Sequence, residues 1–244
     1  MVEFLINLLI ITSYFAIVLG LLSVLLKVVF KVPKEIVRKV QHIGYALSIF
    51  LFLYLFDVWY HALIINAIFI VFISTGLWLF EKTRYYKIYF VDRETLGGEL
   101  KYSLIQAQLM FALLIFFFSW LLPRAQEYII VIAVMCWGVG DALAALIGRR
   151  FGRLKINMFG ADHKKTWEGS SAMAVSVFLV MILLLLFYAG IVWWVALIAS
   201  LVIAPLSMLI EAYAHKGTDT LILPLSIAFL LYGILMIFYG IGVL

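Results

Sequence analysis

The chain has 244 residues, of which 67% are hydrophobic and only 13% are charged, and its mean hydropathy is +1.17. This composition excludes a soluble domain built around one buried core and indicates an integral membrane protein. The net charge of +5 comes from residues in short loops, which favours attraction to anionic lipid headgroups and argues against nucleic-acid binding.

Eight apolar runs are candidates for crossing a hydrocarbon core, which takes about 20 helical residues. They lie near residues 2–26, 43–56, 58–80, 103–122, 127–148, 169–189, 191–210 and 220–243. The second run is short, so its helix is expected to begin back at Glu35 or Arg38, with the charged residues in the membrane interface. We therefore predict an all-α, polytopic bundle of about eight transmembrane helices, forming one catalytic domain over residues 1–244.

The basic residues test this topology independently. All of the 18 Lys and Arg residues except Arg124 follow the first, third, fifth or seventh apolar run. Under the positive-inside rule the loops after those runs are cytoplasmic, and both chain termini lie outside. Because the ionisable groups concentrate on one side, we expect a multi-pass protein with an active site on the cytoplasmic face.

The first inner loop carries Arg38, Lys39 and His42. On a helix Arg38 and His42 are four residues apart and share one face, which suits binding a phosphate and moving a proton. A histidine at the interface is more often a satisfied polar group, so a direct role for His42 stays an alternative. The second inner loop carries Gly98 and Glu99 as candidates for substrate contact, although ordinary surface loops have the same composition.

Asp141 lies inside the fifth apolar run, next to Gly140. A carboxylate at bilayer depth costs about 2.5–3.5 kcal/mol on insertion scales, so it needs a partner or a function. An interhelical hydrogen bond is one explanation, but a lone carboxylate near the cytoplasmic end of a span more often marks an ion or substrate site. Mg²⁺ suits such oxygen ligands and bridges a carboxylate to phosphates. The nearby glycines are equally explained by close helix packing.

Lys164 and Lys165 precede the sixth apolar run. Thr166 is expected to cap the helix that follows, and the three backbone amides after it are expected to point outward. A helix N-terminus preceded by two lysines binds anions readily. Topology alone explains a lysine pair, but it does not explain Glu168. The combination favours a phosphate site.

The fourth inner loop contributes two more carboxylates. Glu211 ends the seventh apolar run and Asp219 precedes the eighth, so both can share an interfacial layer with Asp141. Three carboxylates in one layer repel each other unless a metal ion or a basic residue joins them. Either a metal ion or a basic residue is therefore expected to join Asp141, Glu211 and Asp219.

These motifs resemble a known family. The segment from Gly140 to Gly152, with Lys165-Thr166-Trp167-Glu168-Gly169 downstream, resembles the CTP-using membrane enzymes that include CDP-diacylglycerol synthase, dolichol kinase and phytol kinase. Two further segments resemble the kinases in particular. They are Arg38-Lys39-x-x-His42 and the stretch from Glu211 to Pro224. Thr220 stands where those kinases usually have asparagine, and the synthases' late glycine-rich signature is missing.

The resemblance implies a lipid-alcohol kinase that transfers the γ-phosphate of CTP and yields a lipid phosphate and CDP. The alcohol would be a polyprenol, phytol, a related isoprenoid alcohol or diacylglycerol, and Mg²⁺ would be the metal. The candidate residues are Asp141, Arg38, Lys39 and His42 for catalysis, Gly140, Arg149, Lys164, Lys165, Thr166, Glu168 and Gly169 for nucleotide binding, Asp141, Asp219 and Glu211 for metal binding, and Gly98 and Glu99 for the substrate side.

Two other functions remain as alternatives. A cytidylyltransferase would make a CDP-lipid and release pyrophosphate. A lipid or anion carrier also uses charges at membrane depth and broken helices, but its inverted repeats are not visible in this chain. The accepted alcohol and the oligomeric state are not determined by the sequence, and a homodimer is the commonest symmetric assembly.

Overall fold

The computed structural model describes residues 2–56, 58–80, 99–121, 127–157, 165–214 and 218–242, and within these ranges the chain is 88% helical without a β-strand. Eight helices occur there: α1 Val2–Val29, α2 Lys34–Leu55, α3 Trp59–Phe80, α4 Glu99–Leu121, α5 Tyr128–Phe151, α6 Trp167–Tyr188, α7 Trp193–Tyr213 and α8 Asp219–Gly240. Seven candidate membrane-spanning helices were found in the described residues, and the shorter apolar stretch Leu104–Trp120 belongs to α4. The prediction of an all-α, polytopic membrane protein is confirmed.

The start of α2 agrees with the expectation from the short second run. The helix begins at Lys34, directly after Pro33, whose backbone is extended with ψ 137°. Proline disfavours further helix on its N-terminal side, so the chain turns before it and the charged first turns of α2 extend the apolar run. Both Arg38 and His42 are therefore helical, four residues apart, as predicted.

Contacts divide the chain into two compact units, Met1–Leu122 and Pro123–Leu244. In the first unit, α3 packs against α4 and α1 packs against α2. Its core is rich in aromatic side chains: the ring of Phe111 lies 4.8 Å from that of Tyr45 and 5.7 Å from that of Phe52, measured between centroids. One catalytic domain over the whole chain stays a prediction.

The second unit contains α5, α6, α7 and α8. Helix α5 packs against α6 and α8, and α7 also packs against α6 and α8, so each helix of this unit contacts two others. A ring of this kind buries the apolar sides of α5, which explains why a helix apolar on all sides is stable there. The polar end of the unit, where α5 and α7 finish and α6 and α8 begin, carries the candidate residues.

Glycine permits the close approach of α5 and α6. A Cβ atom on Gly169 would lie 2.9 Å from the Ala144 carbonyl oxygen and 3.1 Å from the Gly148 Cα atom. A Cβ atom on Gly140 would lie 3.1 Å from the Met173 Cε atom. These separations are too short for a larger residue without displacement of the neighbour, so the packing explanation of the glycines is supported.

Candidate active site

The ammonium group of Lys165 lies among carboxylates at the polar end of the second unit. Its Nζ atom is 2.8 Å from Oε1 of Glu211, at the end of α7, and 3.6 Å from Oδ2 of Asp219, at the start of α8. It also donates a hydrogen bond to the main-chain carbonyl of Glu211. Asp141 of α5 is close enough for its charge to act on Lys165. Lys165 is thus a basic residue that joins these carboxylates.

Glu211 is the most enclosed member of this group, with 9% of its side chain exposed, compared with 17% for Lys165 and 19% for Asp219. Its second oxygen, Oε2, accepts a hydrogen bond of 2.6 Å from the Ser170 hydroxyl. A buried carboxylate is tolerated only when it is paired and hydrogen-bonded. Glu211 therefore has a structural partner on each oxygen and holds the Lys165 side chain in place.

The carboxylates keep Lys165 charged. Burial by itself would lower the pKa of Lys165, but the negative charges around it, Glu211 foremost, hold that pKa above its ordinary value. A lysine with a raised pKa remains an ammonium ion at neutral pH. Lys165 is accordingly suited to binding phosphate oxygens and is unsuited to accepting a proton from a substrate.

Backbone pairing fixes the chain on both sides of Lys165. The Ile156 amide donates to the Lys165 carbonyl at 3.1 Å, and the Trp167 amide donates to the Leu154 carbonyl at 2.9 Å. Lys155 and Thr166 form an isolated antiparallel bridge at the same place. The main chain of Lys165 is therefore held against the segment that leaves α5.

Thr166 caps α6, as predicted, but two of the three amides that follow it already have partners. Its extended backbone, at φ −124° and ψ 150°, allows its Oγ1 atom to accept a hydrogen bond of 3.2 Å from the Gly169 amide. The Trp167 amide is taken by Leu154. The prediction of outward-pointing amides at these two positions was wrong, because the cap and the backbone pairing already use these donors.

Glu168 joins the two sides of the same loop. Its Oε1 atom accepts hydrogen bonds from the main-chain amides of Arg153 at 2.9 Å and Leu154 at 3.2 Å. This contact explains a carboxylate that membrane topology did not explain. Direct contacts of Thr166, Glu168 and Gly169 with a nucleotide stay predictions.

The carboxylates fit a Mg²⁺ ion in part. No group of three His, Cys, Asp or Glu side chains that could hold a metal occurs in the described part of the chain. Both oxygens of Glu211 already have partners. Both oxygens of Asp219 do as well, since Oδ2 lies 3.6 Å from the Lys165 ammonium group and Oδ1 accepts a hydrogen bond of 3.0 Å from the Thr220 amide. Mg²⁺ is commonly bound by one or two carboxylates together with substrate phosphates and water. A metal role for Asp141, Asp219 and Glu211 therefore stays a prediction.

The other residues predicted to bind the nucleotide or the substrate lie in several places. Gly140 is inside α5 against α6, and Arg149 is exposed in the last turn of α5. Lys164 and Gly98 lie outside the described residues, as does the side chain of Glu99, the first residue of α4. Their roles stay predictions.

Arg38, Lys39 and His42 belong to α2 in the first unit. The Arg38 guanidinium group forms an ion pair with Glu35, at 2.5 Å from Nη2 to Oε1. Lys39 is only 2% exposed, which is unusual for a lysine unless it is paired. That these side chains approach a nucleotide or a lipid hydroxyl stays a prediction.

Sequence reasoning missed Ser170 as the partner of Glu211. Its hydroxyl lies in the first turns of α6, on a face that is otherwise buried. A small polar residue beside Gly169 in an apolar helix was visible in the sequence, but its partner lies 41 residues further along the chain. Only the packing of α6 against α7 brings them together.

We expect the Ser170→Ala substitution to destabilise the second unit by about 1–3 kcal/mol, because it leaves a buried carboxylate oxygen of Glu211 without its hydrogen bond. Thermal unfolding in detergent measures this effect. Ser171→Ala is the matched control, since Ser171 is exposed on the same turn. Equal melting temperatures for the two variants would contradict the role of Ser170.

Comparison with known proteins gives partial matches. The chain is 39% identical over 112 residues to a phytol kinase from Synechocystis sp., covering 46% of this chain and 45% of that protein. It is 35% identical over 98 residues to a dolichol kinase from Schizosaccharomyces pombe, covering 39% of this chain and 18% of that protein. It is 28% identical over 149 residues to a probable chloroplastic phytol kinase 2 from Glycine max, covering 57% of this chain and 47% of that protein.

The matches cover only part of each relative. The chain spans less than half of the length of each of these three relatives. No protein-family model matches the chain, and no solved structure matches it. A relation to CDP-diacylglycerol synthase stays a prediction, because the three relatives carry the names of kinases.

Proposed function

We propose that this chain is a membrane lipid-alcohol kinase. Its relatives support membership of the polyprenol and phytol kinase family. It transfers the γ-phosphate of a nucleotide to an isoprenoid alcohol such as a polyprenol or phytol, or to diacylglycerol, and yields a lipid phosphate. CTP is the proposed donor because the segment from Gly140 to Gly169 resembles CTP-using enzymes, and the second product is then CDP. The alternatives are a cytidylyltransferase and a carrier.

The observation that carries this proposal is the charged group around Lys165. The Lys165 ammonium group is held by Glu211, where α7 ends, and by Asp219, where α8 begins. Phosphoryl transfer depends mainly on positioning and on stabilising charge at the phosphate oxygens. A lysine among carboxylates at a membrane interface supplies both functions next to a lipid substrate.

The two contacts of Lys165 suggest how it binds phosphate. The contact with Glu211 is short, at 2.8 Å, and the contact with Asp219 is longer, at 3.6 Å. Lys165 therefore stays attached to Glu211 while its side towards Asp219 binds a phosphate oxygen. Lys164 and Arg149 contribute further positive charge to the nucleotide phosphates.

The two aspartates take the metal in this proposal. Asp141 and Asp219 bind Mg²⁺, and Glu211 holds Lys165. When bound, Mg²⁺ neutralises charge on the nucleotide phosphates. The protein's own contribution is to fix both aspartates relative to Lys165 through the ends of α5, α7 and α8.

Roles near the lipid alcohol are proposed for residues of the first and second inner loops. Arg38 and Lys39 bind near the γ-phosphate, and His42 accepts the proton of the lipid hydroxyl. Gly98 and Glu99 contact the substrate. The concentration of Lys and Arg in the inner loops supports an active site on the cytoplasmic face, and a homodimer is the expected assembly.

The proposed function is tested with purified protein in detergent, Mg²⁺, γ-labelled CTP or ATP, and a panel of prenols, phytol and diacylglycerol. We expect the label from CTP to appear in a lipid phosphate, which identifies donor and acceptor together. Pyrophosphate release in the presence of phosphatidate or a prenyl phosphate would instead establish a cytidylyltransferase and reject the kinase. Absence of both products would reject both enzymes.

A further inference from the structure

An apolar groove of about 530 Å³ runs between α7 and α8 in the second unit. Its volume falls in the range of about 300–1,000 Å³ that is typical of small-molecule sites. The groove is lined by Ile210, Ile222, Leu225, Ser226, Phe229 and Leu230. One hydroxyl, that of Ser226, lies among five aliphatic or aromatic side chains, so the groove suits a hydrocarbon chain.

Along both helices the groove lining begins within three residues of the charged group around Lys165. On α7, Ile210 directly precedes Glu211. On α8, Asp219 is followed by Ile222 and Ser226 at the i+3 and i+7 positions, which places the three residues on one face of the helix. A ligand with a polar head at Asp219 would therefore direct its tail along the groove.

The groove is open along its outer side. Ile222 is 46% exposed and Phe229 is 48% exposed, so a lipid reaches the groove laterally. From Ile222 to Leu230 the groove follows α8 for about 12 Å at 1.5 Å per residue. Gly233 lies on the same face one turn further, where a Cβ atom would meet nothing within 4 Å. Gly233 itself therefore adds no side chain at the far end of the path.

We propose that this groove binds the isoprenoid tail of the alcohol substrate, with the hydroxyl-bearing end at Asp219 and Lys165. The assignment rests on the proposed function. Ser226, at the middle of the groove, is the position where a larger side chain interferes with the tail and leaves the charged residues untouched.

The Ser226→Trp substitution tests the groove by kinetics. We expect it to raise the KM for geranylgeraniol by about tenfold, equivalent to ~1.4 kcal/mol, because the indole ring takes the space of the tail. The KM for dimethylallyl alcohol, whose chain ends before Ser226, and the KM for CTP should stay within about twofold. Equal KM values for geranylgeraniol in the variant and the wild type would overturn the assignment.

Leu179→Trp is the matched control. Leu179 lies on α6 in the same unit and is 51% exposed, so its replacement adds the same ring to a lipid-facing surface outside the groove. Its geranylgeraniol KM should equal that of the wild type. If Leu179→Trp raises this KM as much as Ser226→Trp does, the effect is not specific to the groove and the assignment is overturned.

Photolabelling provides a readout that does not need turnover. A geranylgeraniol analogue with a diazirine in the middle of its tail is expected to label the α8 peptide that contains Leu225 to Leu230, and Ser226→Trp should reduce that label severalfold. Label on other helices only would overturn the groove. If the wild type phosphorylates no alcohol but α8 is labelled, the proposed function fails and the groove assignment stands as a lipid site.

Discussion

The Lys165→Met variant is expected to lose turnover by a factor on the order of 10²–10³, as is typical when a stabiliser of transition-state charge is removed. It is also expected to unfold at a lower temperature. Glu211 would keep its buried position, with 9% of its side chain exposed, but without the opposite charge. Breaking a buried ion pair by removing one partner costs about 3–5 kcal/mol.

A double variant separates the two effects. In Lys165→Met/Glu211→Gln the buried charge is gone, while the amide still accepts the hydrogen bond that Ser170 donates to Glu211. We expect the double variant to recover most of the melting temperature and to remain inactive. Thermal unfolding and initial rates, measured on the same detergent preparation, test both statements. An active double variant would show that Lys165 acts only on stability.

The Asp141→Asn substitution is expected to reduce kcat by a factor on the order of 10²–10³ and to leave folding intact. Asparagine has nearly the same size, and Asp141 is only partly buried, so packing is preserved. The loss of one negative oxygen should weaken Mg²⁺ binding. The Mg²⁺ concentration for half-maximal rate should therefore rise, and this titration separates a metal ligand from a structural residue.

Glu127→Gln is the matched control for Asp141→Asn. Glu127 immediately precedes the first residue of α5, at the end of the helix opposite to Arg149. The same loss of one charge there should change neither kcat nor the Mg²⁺ titration. An Asp141→Asn enzyme with the wild-type rate and Mg²⁺ dependence would remove Asp141 from the proposed site.

The helices of this protein were predictable because each depends on its own residues. An apolar run of about 20 residues forms a helix in a membrane regardless of its neighbours, since every backbone hydrogen bond must be made within the segment. The early start of α2 followed from the length of its apolar run. The Thr166 cap was equally local, because the capping hydroxyl and the Gly169 amide are three residues apart.

The partners at the candidate active site were only partly predictable. The sequence indicated that Asp141, Glu211 and Asp219 could share a layer and that a metal ion or a basic residue would have to join them. It did not indicate that Lys165 is a basic residue that does so. It also suggested free amides after Thr166, whereas backbone pairing with the segment at Leu154 uses one of them.

The sequence by itself determined the class of the protein and the positions of its helices. It also identified the charged residues whose placement beside apolar segments costs free energy. The tertiary structure decided which of those residues meet, because Lys165 and Ser170 reach Glu211 across 46 and 41 residues of chain. Apolar burial adds up residue by residue and is therefore visible in a sequence. A hydrogen bond requires two particular atoms within about 3 Å, and only the packing of α6 and α7 provides that.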